Sequence, residues 1–248
     1  MVHIFAHRGA SGTYPENTSA AFAEALRIGV DGIEFDVHLS KDQELIIMHD
    51  ERVDRTTDGA GAIIDLTLEE LKALSAGAFF HPRLTNERIP TLKEALDLIT
   101  GDVMLNVHVK AYDYSREVLT RKVVQELTER QIWHRAFIAS DAETIKLAKR
   151  LNPSAVLCNL TRQGDAIEYV EFSEELGCRI LQPSHTVTTL ELVEAAHERN
   201  MRVNVFYADE VEDMKKLIEL GVDGILTNFP DRLKHVRESI WDIKKNEE

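Results

Sequence analysis

The sequence predicts an α/β protein, a closed (β/α)8 TIM barrel with a small insertion after the second strand. Three observations predict it. Short apolar strands alternate with amphipathic helices about eight times along 248 residues, a length at which α/β barrels form one unit, here residues 1–248 as a single domain. The first strand, helix and strand make a parallel crossover rather than a hairpin. Gly-Val-Asp-Gly-Ile occurs twice, at residues 29–33 and 221–225, each time where a helix gives way to a strand. The two copies therefore occupy equivalent places in a repeating βα unit. The count fits a closed barrel better than an open doubly wound sheet.

Residues 3–7 form a short strand with His3, Phe5 and His7 on one side. It runs into Arg8-Gly9-Ala10-Ser11-Gly12, a loop whose glycines permit unusual backbone angles. Pro15-Glu16-Asn17-Thr18 starts a helix with Phe22, Ala25, Leu26 and Gly29 at helical spacing, and Gly29 suits its C-terminal cap. Residues 32–39 alternate as a strand, with Glu34, Asp36 and His38 on one side and Ile33, Phe35 and Val37 on the other. A polar turn at 40–43 leads to a second apolar run at 45–48. Folded as a hairpin near Asp42, this run returns His49 beside Phe35 and Asp36. Residues 51–90 break the rhythm: 54–61 is polar, 67–74 fits a short helix, and 79–90 is irregular. This segment reads as an insertion over one end of the barrel; a long surface loop with no role is the plain alternative. Alternation then resumes with a helix at 92–99. Strands follow at 103–110, 136–139, 155–160, 179–182, 202–207 and 224–228. Between and after them lie helices at 115–130, 142–151, 166–176, 189–199, 211–220 and 232–242. The tail, 244–248, reads as frayed.

Composition narrows the function. Lys+Arg 29 against Asp+Glu 43 gives a net charge of −14, which argues against nucleic acid or an anionic membrane as the main partner and otherwise serves solubility. An anionic small molecule would need local positive groups. Cys158 and Cys178 lack paired spacing and are expected as reduced core thiols. No basic and apolar leader and no run of 18 apolar residues is found, so the expected location is cytoplasmic, without membrane insertion. Oligomeric state stays open.

Barrel active sites lie at the C-terminal ends of the strands. The polar residues placed there are His7 and Arg8, Glu34 and Asp36, His49, and His108 and Lys110. Asn106, His108 and Lys110 share parity, and three inward polar groups on one strand are unusual in an interior of branched apolar side chains. An edge hairpin with solvated charges is the bland account of Glu34 and Asp36 alone.

Eight pieces, in order along nearly the whole chain, carry a resemblance: His7-Arg8-Gly9, Pro15-Glu16-Asn17-Thr18, Glu34-x-Asp36, Ser40-Lys41-Asp42, His49-Asp50, Ile89-Pro90-Thr91, Gly221-Val222-Asp223-Gly224-Ile225 and Thr227-Asn228-Phe229-Pro230-Asp231. With them the chain resembles the glycerophosphodiester phosphodiesterase family. The resemblance implies metal-dependent hydrolysis of a small phosphodiester to glycerol 3-phosphate and an alcohol. By it, His7 and His49 are the general acid and base, Glu34 and Asp36 bind a divalent cation (Mg or Ca), and Arg8 and Lys110 face the phosphate. The chemistry asks for these types: cationic groups neutralise the anionic diester, and histidine, with an ordinary pKa of roughly 6.5, moves protons near neutrality.

The sequence also departs from the family. The third metal ligand there is a glutamate in a strand reading Asn-Ile-Glu-Ile-Lys; here the strand reads Asn106-Val107-His108-Val109-Lys110. His108 is the expected third ligand, which suits Mn, Co or Zn, or it only hydrogen-bonds a carboxylate. The family's Ser-Phe-Asp reads Ala139-Ser140-Asp141, and its Trp-Thr reads Phe206-Tyr207, so Phe206 is the expected substrate contact in an altered leaving-group pocket. Three other readings remain: a catalytically weak barrel that binds a phosphorylated ligand, a phosphodiesterase for a different small diester, and a different barrel metal hydrolase.

Overall fold

Among the described residues, nine strands are laid down in chain order: β1 (His3–His7), β2 (Gly32–Leu39), β3 (Leu45–Ile47), β4 (Met104–Val109), β5 (Ala136–Ser140), β6 (Leu157–Asn159), β7 (Ile180–Leu181), β8 (Arg202–Val205) and β9 (Gly224–Thr227). The computed structural model describes the backbone of residues 1–247 and the side chains of residues 1–241. Eight strands are parallel, and β1 pairs with both β2 and β9, which closes the barrel. β3 is antiparallel to the end of β2, with Val37 opposite Ile47 and Leu39 opposite Leu45. It takes the edge of β2 above the reach of β1, which pairs only with Gly32, Ile33 and Glu34. The hairpin expected near Asp42 is therefore present, and Met48 N donates to Asp36 O at 3.1 Å.

The helices are α1 (Ser19–Ile28), α2 (Leu68–Ala73), α3 (Leu92–Leu98), α4 (Arg116–Glu129), α5 (Ala142–Leu151), α6 (Ala166–Glu175), α7 (Leu190–Glu198), α8 (Val211–Glu219) and α9 (Pro230–Glu247). α1 starts one turn later than the sequence suggests. Thr18 is its N-cap, accepting from Ala21 N, and Pro15 to Asn17 form the turn before it. The frayed tail expected at 244–248 falls on residues whose side chains, and for Glu248 the backbone, lie outside the described part. No helix among the described residues is long and apolar enough to cross a membrane.

Strand parity sets two cores. Outward residues such as Ile33, Phe35 and Val37 pack under the helices in the main apolar layer. Inward residues Phe5, Phe137, Cys158, Ile180 and Leu226 plug the barrel, with Phe5 and Phe137 edge to face at 6.2 Å. The repeated pentapeptide now has a physical cause. Asp31 Oδ2 accepts from Ile4 N and Asp223 Oδ2 from Val203 N, both at 2.8 Å, so each aspartate pins the start of a neighbouring strand. At the fourth position of each copy, a Cβ on Gly32 would stand 2.3 Å from the Phe5 ring, and one on Gly224 3.0 Å from it.

Three strands are shorter than their apolar runs. Leu160 and Gln182, read as strand ends, lie beyond β6 and β7, and Phe206, read inside a strand running to 207, keeps only an isolated bridge to Ser184; all three line the barrel mouth. Residues 51–90 carry an apolar cluster of their own, with Val53, Ile63, Leu71, Ala76 and Ile89 against Ile46 and Met48. A capping box between Thr67 and Glu70 opens α2. Cys158 and Cys178 are free and buried.

Candidate active site

The C-terminal ends of β1, β2 and β4 and the residue pair after β3 meet at one mouth of the barrel. His7 ends β1. After it Arg8 has φ 56° and Gly9 φ 79°, left-handed geometry that a non-glycine residue adopts only when its surroundings hold it there. The reversal points Arg8 N at Glu34 Oε2, 3.0 Å away. Asn17, itself at φ 56°, donates its backbone N–H to Arg8 O at 2.9 Å and its Nδ2 to Asp36 Oδ2 at 2.9 Å. On β4, His108 stands in register with Asp36. Its Nδ1 lies 3.1 Å from Asp36 Oδ1 and 3.9 Å from Glu34 Oε1.

These side chains line a cavity of about 350 Å³ whose wall carries His7, Arg8, Glu34, Asp36, His49 and His108, completed by Leu160, Gln163, Gln182 and Phe206. A larger hollow of about 560 Å³ lies elsewhere among Lys72, Lys93, Glu94, Lys122 and Glu126. Its lining pairs Lys72 with Glu94 and carries no histidine, so chemistry rather than size locates the site. Every residue expected at the site is present there except Lys110, which stands one layer back. Its Nζ is 3.3 Å from Asp36 Oδ1, and it does not line the cavity.

Burial divides the two carboxylates. It pushes Glu34 up to about 8, and the neighbouring Asp36 charge pushes the same way. Burial also pulls Asp36 upward, but the close His108 ring and the charges of Lys110 and Arg8 outweigh it and hold that carboxyl well below its usual range. Burial, followed by the Arg8 charge, lowers His7 to about 4, so this imidazole is neutral. Burial likewise lowers His108.

The proton on His7 can be placed. Asn228 Nδ2 donates to Asp209 Oδ2 at 2.6 Å, which turns Asn228 Oδ1 toward His7 Nδ1 at 2.8 Å and Ser11 Oγ at 2.7 Å. An acceptor at that place requires the His7 proton on Nδ1 and leaves Nε2 with its lone pair. His7 also stacks on Tyr207, ring centres 5.4 Å apart. His49 Nδ1 is 2.6 Å from Asp50 Oδ1, so its proton too is drawn to Nδ1. His38, on the same side of β2 as Asp36, does not join the cavity. Its Nε2 is 3.1 Å from His49 O, and burial lowers it to about 4.

A divalent cation fits the Glu34, Asp36 and His108 triad. One ligand atom from each lies within 4.8 Å of the others. Asp36 Oδ1 is buried and, although close to His108 and Lys110, makes no well-aligned hydrogen bond with either. Two buried carboxylates two residues apart, one of them driven toward its neutral form, are the arrangement a bound cation relieves.

Sequence reasoning assigned no role to Asn17, Gln163, Gln182, Asp209 or Arg55. Asn17 and Asn228 lie within recognised motifs, yet nothing in their spacing reveals that they hold Asp36 and His7. Asp209 and the glutamines carry no local signal, because barrel closure alone brings them in.

Comparison with known proteins agrees with this geometry. The sequence profile of the Glycerophosphoryl diester phosphodiesterase family matches residues 7–232. A glycerophosphodiester phosphodiesterase of Caldanaerobacter subterraneus subsp. tengcongensis is 37% identical over 232 residues, 93% of this chain and 95% of that protein. One from Bacillus altitudinis is 36% identical over 246 residues, 97% of this chain and all (100%) of that protein. The structure of an Oleispira antarctica phosphodiesterase in complex with the product sn-glycerol-3-phosphate superposes with a TM-score of 0.88 at 29% identity, covering 95% of this chain and 96% of the other. The matched span begins at His7 and runs past Asn228, so it takes in both ends of the barrel closure that builds the mouth, and the chain is an enzyme of the glycerophosphoryl diester phosphodiesterase family.

Proposed function

We propose that this chain hydrolyses glycerophosphodiesters to glycerol 3-phosphate and an alcohol, with a divalent cation at Glu34, Asp36 and His108. The observation that carries the reading is one cavity shared by two histidines, an arginine and a metal-fitting triad. The complex of the Oleispira relative with sn-glycerol-3-phosphate supports the same product here. When bound, the cation would neutralise phosphate oxygens and the charge that builds on them. Arg8 adds its guanidinium to the phosphate, and Lys110 supplies a further positive charge from behind Asp36. His7, neutral and with Nε2 free, takes the proton of the attacking hydroxyl, which is water or the neighbouring glycerol hydroxyl. The bond from phosphorus to the alcohol oxygen breaks, and His49, entering the step protonated on both ring nitrogens with Nδ1–H held by Asp50, gives its Nε2 proton to the leaving alkoxide. If the glycerol hydroxyl attacks, water opens the cyclic phosphate in a second step. Phe206 and the stacked Tyr207 shape the end that receives the alcohol. We read residues 1–248 as one catalytic unit with residues 51–90 inserted, and the buried free thiols support a cytoplasmic setting.

The test is release of glycerol 3-phosphate from glycerophosphocholine, abolished by chelator and restored by added divalent cation. His7→Ala and His49→Ala are each expected to lower turnover by roughly 10²–10⁴ with the fold intact. Near-normal turnover in either folded variant removes that residue from the mechanism. A second reading, a weak catalyst that binds a phosphorylated ligand, is favoured by one feature: His108 brings no negative charge to the triad. It predicts tight binding of glycerol 3-phosphate without turnover of any diester.

A further inference from the structure

Arg55, in the inserted segment, joins the two arms of the site from behind. Its Nε donates to Asp50 Oδ2 at 2.6 Å and its Nη2 to Asp50 Oδ1 at 3.0 Å. On its other side Nη1 donates to Glu16 Oε2 at 2.8 Å and Nη2 to Glu16 Oε1 at 2.7 Å. Asp50 in turn holds His49 Nδ1, and Glu16 Oε1 accepts from Arg8 Nη1 at 2.9 Å. An unbroken chain of charge-assisted hydrogen bonds thus runs His49, Asp50, Arg55, Glu16, Arg8. Only a planar guanidinium can grip two carboxylates at once in this way; an ammonium lacks the fork. Arg55 does not line the cavity and so has no direct access to the substrate. Its place is fixed from its own side. Val53 is buried in the cluster of the insertion, Val53 N donates to Gly61 O at 3.0 Å, and Thr57 Oγ1 donates to Val53 O at 2.7 Å. The side chain of Arg55 is 47% exposed, and ion pairs that open to water contribute little to folding. What this network fixes is position.

We propose that Arg55 is a positioning residue, a clamp that holds Asp50 and Glu16 so that His49 and Arg8 face the cavity together. The proposal rests on the reading that His49 and Arg8 act in diester hydrolysis. It gives the segment 51–90 a role: it carries the tie between the end of the β2–β3 hairpin and the loop after β1. Loss of the clamp frees Asp50 to turn away from His49. Arg8 keeps its backbone bond to Glu34 and its closeness to Asp36. The proton-transfer arm therefore suffers more than the phosphate arm.

The experiment compares the full chain with Arg55→Ala, Arg55→Lys, Asp50→Asn and the double variant Arg55→Ala/Asp50→Asn, reading kcat, KM and Tm, with His49→Ala as control. In Arg55→Ala, kcat is expected to fall by about 10- to 100-fold, the range for losing a group that orients a site residue, with KM within about threefold. The double variant is expected to be no slower than the slower single variant, because the two residues act as one unit. Added guanidinium ion is expected to restore part of the Arg55→Ala activity and none of the His49→Ala activity. A folded Arg55→Ala with kcat within about twofold of wild type overturns the proposal, as does a double variant whose loss is the product of the two single losses. If Arg55→Ala does not fold, Arg55→Lys decides. A loss of at least about fivefold supports the clamp, and full activity overturns it, since lysine keeps the charge but not the fork. An inactive wild type would instead remove the hydrolase reading itself.

Discussion

At the scale of single residues, Glu34 and Asp36 show how neighbours two apart on one strand acquire opposite character. Both are buried, but Asp36 collects His108, Lys110 and Arg8, while Glu34 has mainly a backbone N–H from Arg8 and a like charge beside it. His108 supplies the third donor atom of that triad without a charge. Two carboxylates and an imidazole favour Mn²⁺, Co²⁺ or Zn²⁺, whereas three carboxylates favour the hard ions Mg²⁺ and Ca²⁺. His108→Glu is therefore expected to shift activity and calorimetric affinity toward Mg²⁺ and Ca²⁺, by about tenfold relative to Mn²⁺. An unchanged ranking across these ions would show that His108 only hydrogen-bonds Asp36.

At the scale of elements, the loop between β1 and α1 is the most constrained part of the site. Gly9 at φ 79° would place a Cβ 2.7 Å from the backbone carbon of Ala21 in α1, and Ala10 N donates to Ala21 O at 3.0 Å. Gly101 has a similar φ of 75°, yet a Cβ there meets nothing within 4 Å. The pair separates backbone strain from crowding. Gly101→Ala is expected to cost about 1–2 kcal/mol, the left-handed penalty alone. Gly9→Ala is expected to cost at least about 1 kcal/mol more through the clash, and to lower kcat because Arg8 N moves off Glu34. Denaturant unfolding of both variants checks this; equal losses would mean that α1 yields to the added methyl group.

At the scale of the whole molecule, the barrel encloses carboxylates in a chain already at −14. A cation bound at the triad should therefore stabilise the fold. Binding only to the folded state adds roughly 2.7 kcal/mol at a hundredfold excess over Kd, or about 5–10 °C in Tm for a chain of this size. Glu34→Gln is expected to abolish that rise. Without metal it should melt no lower than wild type, since the carboxyl it replaces is already pushed up to about 8. A metal-induced rise that survives in Glu34→Gln would place the cation elsewhere.

Local patterning by itself determined much of this protein. Period-two alternation put Glu34, Asp36 and His38 on one face of β2, and helical spacing with its glycine caps set the barrel count, because both follow from covalent geometry within a few residues. Which of those polar groups meet was decided only by register and closure. Val37 opposite Ile47 brings His49 to the cavity and leaves His38 behind it, bonded to a carbonyl. Pairing of β1 with β9 sets Asn228 on His7 across 221 residues of chain, which fixes the proton on that ring. Leu160 and Gln182 read only as strand ends, yet with Phe206, the expected substrate contact, they line the mouth, because β6, β7 and β8 are shorter than the segments read as strands. Arg55 had only its charge to mark it in a polar stretch. Its meaning came from the tertiary fold, which places two carboxylates 34 positions apart in sequence on either side of one guanidinium.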